Sequence, residues 1–439
     1  MTDDTRGLPL TAANGEAVTA FDHTIDGYLG LSFDTGERLK ATFAADPGMP
    51  MAHILKGYFF MLMAMPALKA KAQRIYGEIS ERLADATPRE QRHAKAMDAM
   101  AHGRANEALN CWEDILAEHP RDALALRLAH HGYFYKGDSQ NLRDVVVRNM
   151  HAWDEATPGF GYVMGMRSFG LEETHAHGAA IDAGEKALNF NPVDPWAIHA
   201  VAHVHEMVDN PADGIKWITT HEPGWLGANN FRYHLWWHRA LMRLDEGDYD
   251  TVLAEYDQSL WDPKSDEYLD LCNDASLLMR LELHGVDVGG RWADVAEKCK
   301  ARTNDHLLAF IDVHFALTLA AIDAPEAGEL YASLAKYGED GNDDNAPISA
   351  EIGKPLAAGL IAYKQGDFGA AVDYMVPVHF ALPKMGGSNA QRDLFAMILL
   401  DAAIRAGRAN LARALAAERL GRMPENAWTR AAHTRAFAA

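Results

Sequence analysis

One recurring pattern limits the fold more than any other feature of the chain. A glycine or turn residue is followed five positions later by a small or aliphatic residue, and four further on by an aromatic or aliphatic one. HGRANEALNCWEDILAEHP shows it with Gly103, Ala108 and Trp112, and adds Pro120. The pattern returns as Gly137 with Leu142, as Ala180 with a trailing Pro192, and as Gly214 with Ile218. It appears again as Gly247, Val252 and Tyr256, then Gly366, Ala371 and Met375, and last Gly407 and Ala412. Ala108 to Leu142 is 34 residues, Leu142 to Ala180 is 38, Ala180 to Gly214 is 34 and Gly214 to Val252 is 38. A chain built this way grows by stacking like units rather than by enlarging one core. Its 439 residues therefore escape the usual expectation of about two or three globular domains.

A period near 34 residues is that of tetratricopeptide (TPR) helix pairs. The fold class expected is all-α, a TPR-like α-solenoid of stacked antiparallel helix pairs, with tight superhelical winding left open. Residues 1–90 read as an N-terminal helical region and 91–262 as regular repeats. Residues 263–439 read as less regular pairs continuing the same solenoid, because the spacing drifts after about residue 260. Local signals agree: Asp194-Pro195 opens a helix, Asn210-Pro211 ends it and starts the next, and Ser388 with Gln391 forms a capping box. Hairpin signals are scarce, so little strand is expected. GEDGNDDNAP (338–347) reads as a long acidic loop.

Charge narrows the partners. With 62 acidic against 41 basic residues the net charge is -21. That balance argues against nucleic acid and against anionic membrane. Cys111, Cys272 and Cys299 are far apart and odd in number, which disfavours a disulfide framework and a thiolate zinc site. The acidic N-terminal stretch lacks a long apolar core, so no signal peptide is expected. No apolar run is long enough to span a membrane, and a cytoplasmic setting follows.

In TPR-like stacks the first helix of each pair lines the concave face, an assignment that resemblance to the class implies. On that register the helix after Asp194 turns Trp196, His199, His203 and Glu206 to the concave side; steps of four and three residues put the last three on one face. Neighbouring first helices add Arg127 and His131, then Tyr162 and Glu172, then His234, Trp237 and His238. Polar, titratable groups thus recur where the core does not require them.

Three readings compete for the histidines. In the first they are structural, buried and bonded to backbone or carboxylates; His177, in the slot of Tyr249 and Phe368, is packing, and His175 lies near a helix end. In the second, His199, His203, His234 and His238 form i, i+4 pairs with the spacing of helical zinc ligands, so the cofactor is open and a divalent metal is a candidate. HAVAHVHE is not HEXXH, since the glutamate follows the second histidine. In the third, His203 and His234 act as acid–base groups with Glu206, a contribution of about 10²–10⁴-fold in enzymes that use one. His131, Tyr162, Glu172, Trp196, His199, Trp237 and His238 would then contact the ligand. Trp236 falls at a packing position. Asp312 and His314, and Arg392 and Asp393, make weaker constellations. No P-loop, Rossmann fingerprint or GxSxG occurs in a suitable context.

The stretches YVMGMRSFGLEETHAHGAAIDAGEKALNFNPVDPWAIHAVAHVHEM, HLWWHRALMRLDEGDYDTVLAEYD, GVDVGGRWADV, DHLLAFIDVHFAL and GGSNAQRDLF resemble the tetratricopeptide repeat protein 38 family, from about residue 123 to 400. His199, His203, His205, Glu206, His234, Trp237, His238, Asp312 and His314 match its motifs. The resemblance implies a helical TPR-like fold and brings no reaction with it. The leading function is binding of a small molecule or peptide in a His/Glu/Trp-lined channel. The alternatives are a hydrolase or lyase using the His–Glu cluster, metal-assisted or not, and an oligomeric scaffold with structural histidines. A homo-oligomer stays open.

Overall fold

Nine turns with a left-handed residue set the architecture. In a computed structural model that describes residues 2–438, Gly103, Gly137, His175, Asp209, Gly247, Gly285, Asp323, Gly366 and Gly407 all have φ between 53° and 82°, in the αL region. Each ends the first helix of a pair and reverses the chain. The second helix then opens, in several pairs on an aspartate cap: Asp138 Oδ1 accepts from Asn141 N at 3.0 Å, and Asp367 Oδ1 from Ala370 N at 3.0 Å. Five residues after the turn comes the small or aliphatic residue of the sequence pattern. At Ala108, Leu142, Ala180, Val252, Ala371 and Ala412 it is at most 1% exposed.

The result is all-helical, a TPR-like array of antiparallel helix pairs. Ala123–Tyr135 pairs with Ser139–Asn149, Phe160–Glu173 with His177–Phe190, Lys354–Lys364 with Phe368–Met375. Among the described residues strand is confined to Thr2–Asp3 and Pro9–Leu10. The expected capping boxes and caps are present: Ser388 and Gln391 satisfy each other's backbone N–H, and Asp194 Oδ1 accepts from Trp196 N at 3.0 Å. The acidic segment 338–347 is shorter as a loop than its composition predicts. The Glu326–Asp340 helix runs into it, and a new helical turn starts at Ala346. Among the described residues no helix is long and apolar enough to cross a membrane.

The chain divides into two compact units. One comprises Met1–Val201 and Thr220–Arg232, the other Ala202–Thr219 and Tyr233–Ala439. Each has its own apolar core. In the first unit Tyr58, Trp112, Ile115 and Phe169 are buried, and in the second Trp237, Leu277, Phe315 and Phe395. The Pro195–Met207 helix gives its first half to one unit and its second half to the other.

Two features of the first unit carry unusual stability weight. Gly170 lets two helices meet backbone to side: a Cβ there would lie 2.6 Å from the Cα of Arg143. Asp122, 1% exposed, accepts from Arg89 Nη1 at 2.7 Å, from His93 Nε2 at 3.0 Å and from Ala125 N at 2.9 Å. Burial alone would raise its carboxyl, but the charges of His93 and Arg89 outweigh burial and hold it far below the usual range.

Gly170→Ala is therefore expected to lower stability by about 1–3 kcal/mol, although alanine is the better helix former; urea unfolding of the two proteins measures it. Asp122→Ala should cost about 3–5 kcal/mol at neutral pH, because it strands Arg89 in the interior. Since the folded carboxyl is depressed, its contribution is full above the unfolded value and lost below it. The gap between wild type and Asp122→Ala should narrow as pH falls below about 4, which pH-dependent denaturation tests.

Candidate functional site

The second unit gathers five of the sequence-predicted site residues, His203, Glu206, His234, Trp237 and His238. His203 and Glu206 lie three residues apart on the C-terminal half of the Pro195–Met207 helix, and His234 and His238 lie one turn apart on the Phe231–Asp245 helix. His238 Nδ1 and Glu206 Oε2 share a hydrogen bond at 2.8 Å. His234 Nδ1 donates to Asn273 Oδ1, on the Tyr268–Leu283 helix, at 3.1 Å. The Nε2 atoms of His234 and His238 face each other at 3.1 Å. The His203 ring lies 4.3 Å from that of His238, and one nitrogen from each of the three imidazoles falls within 4.8 Å of the others. Trp237 is wholly buried and stacks on His234 at 5.2 Å with the planes 13° apart.

Burial governs the electrostatics here. It pushes His203 and His234 well below the ordinary imidazole range, and His238 to about 3, with neighbouring positive groups adding to the effect. It pushes Glu206 up to about 8 against the opposing charge of Arg280. Arg280, itself 4% exposed, donates to the Ala390 carbonyl at 2.7 Å and to Ser276 Oγ at 3.2 Å. Asp245 is raised to about 7 by burial, and its Oδ1 accepts from Asn426 Nδ2 at 2.9 Å. Asp393 is ion-paired to Arg419, which outweighs burial and holds its carboxyl low; its place near a helix start is only part of its role.

The first unit holds another group. Trp196 lies 5.3 Å from His131 and 5.2 Å from His199, ring to ring, with Phe231 at 5.4 Å and Phe169 at 5.0 Å. Arg127 stacks on the Trp196 ring at 4.1 Å. Tyr162 is half-buried on the Phe160–Glu173 helix, and Glu172 is fully buried on the same helix. His177 opens a helix, and His175 supplies the left-handed turn before it. Trp236 is partly buried against the second core and carries Arg239 over its face at 4.0 Å. Asp312 receives a hydrogen bond from His306 Nδ1 at 3.2 Å, while His314 Nδ1 donates to the Phe310 carbonyl at 2.7 Å.

Sequence reasoning missed Asn273, Arg280 and Tyr28. Asn273 had a signal: it stands 39 residues after His234, one repeat on, in the stretch where repeat counting had stopped. Tyr28 lies in the N-terminal region, where no repeat was read.

No family model matches the chain. In solved structures it is similar to the human IFIT1 dimer with PPP-AAAA, at 12% identity and a TM-score of 0.43, over 98% of this chain and 95% of that one. It is also similar to yeast Tom70, at 12% identity and a TM-score of 0.34, over 96% and 95%.

Glu206→Ala should lower stability by about 1–3 kcal/mol, because it removes the acceptor of a buried imidazole N–H. Chemical denaturation at neutral pH reads it, and an unchanged midpoint would show that the His238–Glu206 bond carries no weight.

Proposed function

We propose that this helical repeat protein is a binding protein whose second unit holds a divalent metal ion on His203, His234 and His238. The facing Nε2 atoms carry the proposal. On the tautomers that give each Nδ1–H to an oxygen, of Glu206 or of Asn273, each ring turns its Nε2 lone pair toward the other. Two lone pairs 3.1 Å apart repel unless a cation shares them. Imidazole nitrogens bound tetrahedrally to zinc at about 2.0–2.1 Å stand about 3.3 Å apart, close to the separation found. A proton would join two nitrogens; the third imidazole within reach is what a metal ion uses.

The oxygen partners fit the same reading. Imidazole ligands commonly give their other N–H to a carboxylate or amide oxygen, which fixes the tautomer and strengthens the donor nitrogen. Glu206 and Asn273 stand in those places. Three imidazoles leave a coordination position open, where a small molecule or a peptide side chain could bind. The hydrolase or lyase alternative draws on His203, His234 and Glu206 too, and an open metal position would serve it by activating water. On its motifs we further propose that the chain is related to the tetratricopeptide repeat protein 38 family, and we keep the cytoplasmic setting read from its sequence.

Protein stripped with a chelator should take up one zinc or cobalt ion per chain by calorimetry, and cobalt should give the visible bands of tetrahedral coordination. His234→Ala and His238→Ala should abolish uptake. Asn273→Ala should weaken it about 10–100-fold. Zinc binding with equal affinity in wild type and both histidine variants, or no stoichiometric uptake at all, would overturn the assignment.

A further inference from the structure

Arg127 is buried to 1% exposure in the first unit, and its Nε and Nη2 have no hydrogen-bond partner. No carboxylate among the described residues lies within ion-pair distance of it. Its one contact of note is the face of Trp196, 4.1 Å from the guanidinium carbon. Burying a guanidinium without an ion pair or hydrogen bonds to its edge is among the costliest arrangements a fold can keep. Asp194 is the nearest acid by charge, but one of its oxygens caps Trp196 N and the other lies against Gly165.

The groups around Arg127 share a chemistry. His131 and Tyr135 follow it at four-residue steps on the Ala123–Tyr135 helix, so they line its face. Tyr28, on the Gly15–Leu29 helix that packs there, lies near enough to feel the guanidinium's charge. Its hydroxyl is buried with no hydrogen-bond partner, as are Trp196 Nε1 and His131 Nδ1. Arginine, tyrosine and indole each present a hydrogen to donate. Three buried donors from three helices, on Arg127, Tyr28 and Trp196, therefore lack an acceptor, and the apolar rings of Trp196, Phe169 and Phe231 stand beside Arg127.

We infer that the first unit binds a small organic carboxylate, with Arg127 gripping the carboxylate and the aromatic rings taking its apolar body. Nε and Nη2 form the side-on edge of the guanidinium, the edge that pairs with the two oxygens of a carboxylate in parallel. Tyr28 and Trp196 complete the oxygens' shells. The site is distinct from the imidazole cluster and does not rest on a metal there.

The test uses the full chain and calorimetry with acetate, benzoate, phenylacetate and octanoate, with benzamide, phenylacetamide and inorganic phosphate as controls. The aryl or acyl carboxylates should bind, and the amides and phosphate should not. Arg127→Met should weaken binding about 100-fold and Tyr28→Phe about 10-fold, while His234→Ala leaves it unchanged. Arg127→Met should also melt no lower than wild type without ligand, because it removes an unpaired buried charge. Should that variant fail to fold, Tyr28→Phe decides alone. Carboxylate affinity equal in wild type and the Arg127 and Tyr28 variants would overturn the inference. So would phosphate binding in place of carboxylates, or no binding by any carboxylate.

Discussion

The stack depends on a reversal in the left-handed region at the end of each first helix. An L-residue there costs about 1–2 kcal/mol relative to glycine, and the chain accepts that cost at His175, Asp209 and Asp323. The reversal brings the second helix back antiparallel and sets its fourth residue against the first helix. Only something small or slender fits there, which is why Ala108, Ala180, Ala371 and Ala412 recur and are fully enclosed. The period of the sequence is thus the footprint of a backbone turn. Packing of the pairs, the burial of one face of each helix and the placing of polar groups between pairs all follow from it.

That link explains how much of the fold could be read. Turn and small residue stand five apart at Gly103, Gly137, Gly247, Gly366 and Gly407, and there the reading located the pairs. At His175 and Asp209 the turn carries no glycine, yet the small residue at 180 and 214 kept the register visible. After Gly285 the segment VDVGG is inserted before the Arg291–Lys300 helix, so the small residue no longer falls in its slot. The turns themselves continue at 38-residue steps from Gly247 through Gly285 to Asp323. Beyond Asp323 the steps lengthen to 43 residues at Gly366 and 41 at Gly407, so the drift read from the sequence combines a lengthened connection with a longer repeat.

The candidate sites were legible to a lesser degree, for the same reason. Helical steps of three and four residues put His203 beside Glu206 and His234 beside His238, and those pairings follow from one helix at a time. What joins the two helices does not. The His238–Glu206 bond spans 32 residues and the His234–Asn273 bond 39. Both are close to one repeat, so a residue's partner in a stack is found by stepping one period along the chain. Arg280 and Tyr28 escape even that rule, because Arg280 reaches Ala390 across 110 residues, and Tyr28 precedes the first recognisable repeat.

Buried polar groups separate architecture from function in a protein of this kind. Repeat packing needs small and apolar residues, and the cores supply them in abundance. It does not need Arg127 without an ion-pair partner, nor three imidazoles with a nitrogen each within 4.8 Å of the others. Each such group costs stability that an apolar residue of like size would not. Asp122 shows how the fold treats a charge kept for structure, since every oxygen of it is engaged by Arg89, His93 or a backbone N–H. Arg127 lies five residues beyond Asp122 and has neither an ion pair nor a partner for its Nε and Nη2. The contrast within a single helix is the physical reason for reading it as a binding group.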